Sequence, residues 1–281
     1  TGVQNTLIGG SAGDALTTGA DNTFLGYNAG GSATIGNSNV AIGQGALETN
    51  VAADKNVAVG YGSLRVATKA TTADTYNTAV GYNSGREVTS GEANTILGAL
   101  AGDSITTGNH NIAIGYQALS AEDAGQRSVA IGGFSLSSQN VDGLNYNVAV
   151  GYKAGLSVTT GILNTLVGGL AGDALTEGNS NVAMGYLALS AETLGDRNVA
   201  IGLGALAAQN NTSDTDVYNT AIGYNAGAAV TTGIRNTLIG GLAGDALNTG
   251  NFNTALGYAA LSAEDAGNYN TAIGYKALSV Q

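Results

Sequence analysis

One unit, Asn-Thr-Ala-Ile-Gly-Tyr with its close variants, recurs sixteen times along these 281 residues and limits the fold more sharply than any other feature. The units begin at Asn5, Asn22, Asn39, Asn56, Asn77, Asn94, Asn111, Ser128, Asn147, Asn164, Asn181, Asn198, Asn219, Asn236, Asn253 and Asn270. Spacings are 17 residues within groups of four and 19 or 21 between groups. A second column repeats the grouping: the ninth position runs Gly, Gly, Leu, Leu in every block, from Gly13, Gly30, Leu47, Leu64 to Gly227, Gly244, Leu261, Leu278. Duplication of a four-unit block accounts for both. The blocks are 5–76, 77–146, 147–218 and 219–281, and the first three end in longer loops at 69–76, 139–146 and 210–218.

A fixed short period is the mark of a solenoid. Seventeen residues are too few for a helix pair and suit one coil of two short strands and two turns. The expected fold is therefore all-β, a single continuous β-solenoid (β-roll) of sixteen coils. Within Asn-Thr-Ala-Ile-Gly, positions two and four alternate with position three, as in a strand. Position four is always Ile, Leu, Val or Met, as in Ile8, Leu25, Ile42, Val59, Val80, Leu97, Ile114, Ile131 and Met184, and is expected to fill the inside of the coil. Glycine holds position five in all sixteen units and recurs near position fifteen, at Gly19, Gly108, Gly178 and Gly250, which marks two corners. The opening asparagines, Asn5, Asn22, Asn39, Asn56, Asn77, Asn94, Asn111 and Asn147 among them, predict a side-chain ladder from coil to coil, with Ser128 its weak rung. At the strand spacing, sixteen coils would make a rod of roughly 75–80 Å.

Composition fits and excludes. Proline is absent, as uninterrupted strand pairing requires. Without cysteine and with one histidine, His110, expected as an exposed turn residue, there is no thiolate nucleophile, disulfide or multi-histidine metal site, and no cofactor is expected. A net charge of -11 argues against a nucleic-acid surface. No apolar run approaches the ~20 residues needed to span a membrane, so no membrane insertion is expected.

The runs at 39–43, 111–119, 198–202 and 270–278 resemble the repeats of trimeric autotransporter adhesin heads and, more closely, the arrays of bacteriophage tail fibres. The resemblance covers essentially the whole chain. It implies a side-by-side homotrimer in which small third-position residues, here Ala41, Ala58, Ala79, Ala113, Ala130 and Ala149, face the three-fold axis. Leu7, Ile96, Leu166 and Leu238 interrupt that column. Self-association could also be end to end, since 1–4 look like the tail of a coil and 276–281 stop partway through one; Gln281 would then meet the next Thr1.

Candidate sites are few. Tyrosine occupies position six at Tyr27, Tyr61, Tyr82, Tyr116, Tyr152, Tyr186, Tyr224, Tyr258 and Tyr275, a row suited to surface glycans or to a neighbouring chain. Tyr76, Tyr146, Tyr218 and Tyr269 precede a unit's first residue. The acidic motifs at 120–125, 190–195 and 262–267, and Asp14, Asp103, Asp173 and Asp245, suggest surface solvation and strand-end capping. A repeated pair is not needed for glycoside hydrolysis, and the calcium-binding nonapeptide is missing. The threonines Thr78, Thr95, Thr165, Thr220, Thr237, Thr254 and Thr271 raise ice binding, but alternation puts them on the side expected to be inward. Asn210 and Asn211 each open a glycosylation sequon. The expectation is a non-enzymatic structural fibre of an extracellular appendage or virion surface. A glycan- or receptor-binding surface adhesin and an ice-binding solenoid are the alternatives.

Overall fold

The computed structural model describes residues 2–69, 71–263 and 265–280 and is an all-β parallel solenoid of sixteen turns. The chain divides into two compact units, 1–145 and 146–281, each holding eight coils. Each coil contributes one three-residue strand, from Thr6–Ile8 and Thr23–Leu25 in the first unit to Thr254–Leu256 and Thr271–Ile273 in the second. Successive strands pair in parallel without slippage; Thr78 lies beside Thr95 and Thr95 beside Ile112. Among the described residues a second strand, expected in every coil, forms only at the long loops. There Ala53–Asp54 pairs with Ala73–Asp74, Gly125–Gln126 with Gly143–Leu144, and Gly195–Asp196 with Thr215–Asp216. Turns complete the other coils.

The strand alternates as expected but with the opposite phase. Position three points into the coil: Ala41, Ala58, Ala79, Ala113, Ala130 and Ala149 are fully buried, so they do not line an axis between chains. Ile96, Leu166 and Leu238 do not interrupt a surface column; they are core, as is Phe24. Position four points outward instead. Leu25 is 42% exposed, Leu97 46% and Met184 40%, contrary to the expectation that this column fills the coil. The opening asparagine shares the parity of position three and is buried, so the phase is set by where the polar ladder must lie.

The interior also explains the Gly, Gly, Leu, Leu order. Wherever position nine is leucine, position three is alanine, as in Ala41 with Leu47 and Ala113 with Leu119, all fully buried. Wherever position three is large, position nine is glycine. A Cβ on Gly30 would come within 2.4 Å of the Phe24 ring, and one on Gly244 within 2.7 Å of Leu238. In thirteen coils large and small residues thus exchange places across one narrow cavity, as close packing demands, while Ala79 with Gly85, Ala149 with Gly155 and Ala221 with Gly227 are small at both.

The corner at position five needs glycine twice over. Gly81 has φ +139°, and a Cβ there would lie 2.6 Å from the carbonyl oxygen of Gly98 in the next coil. At position fifteen φ is ordinary and only the close approach remains: a Cβ on Gly108 would meet the Gly125 oxygen at 2.5 Å.

Two leucines of the second unit separate the two faces. Leu238→Ala, in the core, should lower unfolding free energy by about 2–5 kcal/mol. Leu256→Ala, 46% exposed on the outer face, should cost less than about 1 kcal/mol in dilute protein. Urea denaturation of the two variants measures the difference.

Candidate functional site

The asparagine ladder is continuous within each unit. The backbone N–H of Asn94 donates to Oδ1 of Asn77 (3.0 Å), and that of Asn111 to Oδ1 of Asn94 (2.9 Å). In the second unit Asn181 donates in the same way to Asn164, and Asn236 to Asn219. The amide nitrogen turns the other way, onto the position-fifteen glycine of its own coil: Asn94 Nδ2 donates to Gly108 O at 2.8 Å. Such a side chain satisfies one buried backbone group in the next coil and one across its own, whereas Asn56 Nδ2 turns to Asp54 O and Asn198 Nδ2 to Asn181 Oδ1. Ser128 receives a rung through its N–H from Asn111 (3.0 Å) but cannot reach across. Gln139 takes up the space, donating through Nε2 to Ser128 Oγ at 2.8 Å.

Gln139 belongs to a buried polar latch that the sequence reading missed. Glu122, expected at the surface, is fully buried. Its Oε1 accepts the N–H groups of Gly125 (2.7 Å) and Asp123 (3.1 Å), and its Oε2 accepts Gln139 Nε2 (2.7 Å) and Asn145 Nδ2 (3.0 Å). The carboxylate therefore ties the long loop 139–146 to the preceding coil. Glu192 repeats the device: Gln209 Nε2 donates at 2.7 Å, and Asn211 donates through both N–H and Nδ2 at 3.0 Å. The signal was present. These glutamates stand at position twelve, where other coils carry Val88, Ile105, Val158, Leu175, Val230 and Leu247, all buried. Asn211, one of the two sequon asparagines, is pinned beneath the loop by Glu192, which leaves no room for a glycan on it. Asn210 is partly exposed and accepts from Thr193 Oγ1 (2.9 Å).

On the outer face lie positions two and four. The threonines and the aliphatic column share this side, as alternation required, but both face solvent; Thr78, Thr95, Thr254 and Thr271 are exposed. Aromatic rows flank it. The position-six tyrosines are about half-exposed, and where they fall on adjacent coils they stack: Tyr61 on Tyr82 at 5.3 Å and Tyr258 on Tyr275 at 5.7 Å between centroids. On the other flank Lys55 sits over Tyr76, Arg197 over Tyr218 and Arg235 over Phe252, which stacks on Tyr269. His110 is an exposed turn residue at φ +59°. Thr1 and Gln281, the two sides of the end-to-end join, and Glu264 of the motif at 262–267 lie outside the described residues, as does Ala70 in the loop 69–76.

Burial raises several carboxyls above their ordinary range. Desolvation is the largest cause for Glu122, Asp103, Asp173, Asp196 and Asp245. Asp173 and Asp245 each keep one buried oxygen without a hydrogen bond. Asp74 moves the other way, held down by its hydrogen bond from Lys55. A carboxyl raised in the folded state binds its proton more tightly folded than unfolded. Its contribution therefore favours the fold as pH falls from the raised value toward the ordinary carboxylate range, and is lost as pH rises. With five such groups against one, and a net charge of -11, the midpoint in thermal scans should rise as pH falls from neutrality toward the ordinary carboxylate range. Removing the latch, Glu122→Ala, should cost about 3 kcal/mol by orphaning several buried donors, and should open Leu144 to chymotrypsin in limited proteolysis.

No protein-family model, curated protein or solved structure matches this chain.

Proposed function

We propose that this chain is a non-enzymatic structural element, a shaft segment of an extracellular or virion-surface fibre, which associates side by side with copies of itself through the outer strand face. The observation that carries the reading is the aliphatic fourth-position column. It is continuous and solvent-facing in each unit, with Leu25, Leu97, Met184, Leu256 and Ile273 between 40% and 65% exposed. Contiguous apolar surface of this extent on a soluble chain marks an interaction face. A stable interface takes roughly 800 Å² from each partner, and every coil adds an aliphatic side chain with its neighbouring position-two residue to this face. The resemblance to trimeric repeat arrays supplies the expected number of copies. The face that meets the partner is positions two and four, since position three is spent inside the coil.

Sedimentation equilibrium tests this. The expected mass is three times 27.6 kDa, falling to one chain in the double variant Leu97→Lys, Ile114→Lys, with circular dichroism retained. A single-chain mass for the unaltered protein at tens of micromolar would overturn the reading.

Ice binding has one observation in its favour. Thr220, Thr237, Thr254 and Thr271 stand in register on consecutive strands of the outer face rather than inside the coil. Thermal hysteresis abolished by Thr237→Tyr with Thr254→Tyr would support that reading, and no hysteresis in the unaltered chain would exclude it.

A further inference from the structure

The first block contains a cleft whose lining differs from the corresponding places in the rest of the chain. Tyr27 and Tyr61 form its walls, two coils apart, with Gln44 and Gly45 of the intervening coil as floor and Asn28, Glu48 and Arg65 along one side. It is a groove partly open to solvent. Both walls are supported from behind. Tyr61 stacks on Tyr82 at 5.3 Å with planes 12° apart, and Tyr27 leans over Gly10, where a Cβ would lie 3.3 Å from the ring. The polar side is fixed as well: Asn28 Nδ2 donates to Glu48 Oε1 at 2.6 Å, and Arg65 Nε donates to Glu48 Oε2 at 2.5 Å.

The repeat supplies its own control. Four other tyrosine pairs stand two coils apart within a unit: Tyr82 and Tyr116, Tyr152 and Tyr186, Tyr186 and Tyr224, Tyr224 and Tyr258. In each, the intervening coil carries a leucine at position six or seven, namely Leu100, Leu170, Leu203 and Leu242. Between Tyr27 and Tyr61 those positions hold Gln44 and Gly45, so the gap stays open. None of the four has an acid–arginine pair like Glu48 and Arg65 at position ten of the intervening and following coils. Several departures fall together on one surface and line one cleft.

We propose that this cleft binds one hexopyranose unit of a neutral oligosaccharide, the sugar ring stacked between Tyr27 and Tyr61. Two strand spacings put the walls about 9.6 Å apart, so a ring midway lies ~4.8 Å from each, within the 4.5–7 Å range of ring contacts. Glu48 and Arg65 cancel each other's charge, which suits a ligand carrying none. The side chains of Gln44 and Asn28 and the guanidinium of Arg65 supply the polar edge that hydroxyls require. The site lies around the corner from positions two and four, so binding and self-association are separate properties with separate tests.

A printed array of glucan, mannan and galactan oligosaccharides with sialylated and sulfated counterparts, followed by calorimetric titration of the retained neutral glycan, tests it on the full chain. Gly45→Leu is the most informative variant, because leucine already occupies this repeat position with positive φ at Leu100, Leu170 and Leu242. Gly45→Leu and Tyr27→Ala should each weaken binding about tenfold or more, or ~1.4 kcal/mol, while Tyr152→Ala should leave it within about twofold. If Gly45→Leu loses its circular dichroism, Arg65→Ala takes its place. No neutral glycan bound at about 1 mM, retention of charged glycans only, undiminished binding by Gly45→Leu, or an equal loss in Tyr152→Ala would each overturn the proposal.

Discussion

The fold depends on one interaction repeated along each unit, the buried asparagine amide that joins two coils at once. Its oxygen takes the backbone N–H of the next asparagine, and its nitrogen reaches across the coil to a glycine carbonyl, as Asn164 does toward Asn181 and Gly178. Buried backbone groups at a turn would otherwise go unpaired, at a cost of about 1–3 kcal/mol each. The second corner is close-packed as well: a Cβ on Gly108 or Gly178 would lie 2.5 or 2.7 Å from the glycine carbonyl oxygen of the next coil.

The same contact decides which way the strand faces. Sixteen repeats, the two corners, the ladder and the strand alternation were all legible in the sequence, because each is a pattern along one chain. The direction of the alternation was not, because bulk points the wrong way: Ile114 looks more like core than Ala113. In a coil this narrow the reverse holds. The asparagine sits inside, position three shares its parity, and wherever a leucine such as Leu119 enters from position nine, position three is alanine. Reading columns one, three and nine together would have given the phase. Couplings between coils were less accessible. Gln139, at position twelve of the same unit as Ser128 and one coil on from Glu122, donates to both, a coupling that lies in the position-twelve column outside the Asn-Thr-Ala-Ile-Gly run.

Turning the strand over changes its chemistry. The aliphatic and threonine columns become surface, edged by tyrosines on one flank and by cation–aromatic contacts on the other. Carboxylates move the opposite way: Glu122 and Glu192 leave the surface to anchor the second and third long loops, satisfied on both oxygens so that burial is tolerable. The repeat therefore divides its work by column. Positions one, three, five and nine build the coil, position twelve fixes the loops, and positions two, four and six are left for other molecules. The cleft at Tyr27 and Tyr61 is what that last set can become when a few of its members change together.

The inversion can be read directly because the chain has no cysteine of its own. Ile96→Cys and Leu97→Cys place a single thiol on either side of the same strand, and its rate of reaction with a small maleimide is measured at high concentration and after dilution. The thiol at position 96 should stay protected in both, being inside the coil. At position 97 it should be protected only in concentrated, associated protein and react freely once diluted. A reactive thiol at 96 beside a protected one at 97 in dilute protein would contradict the account.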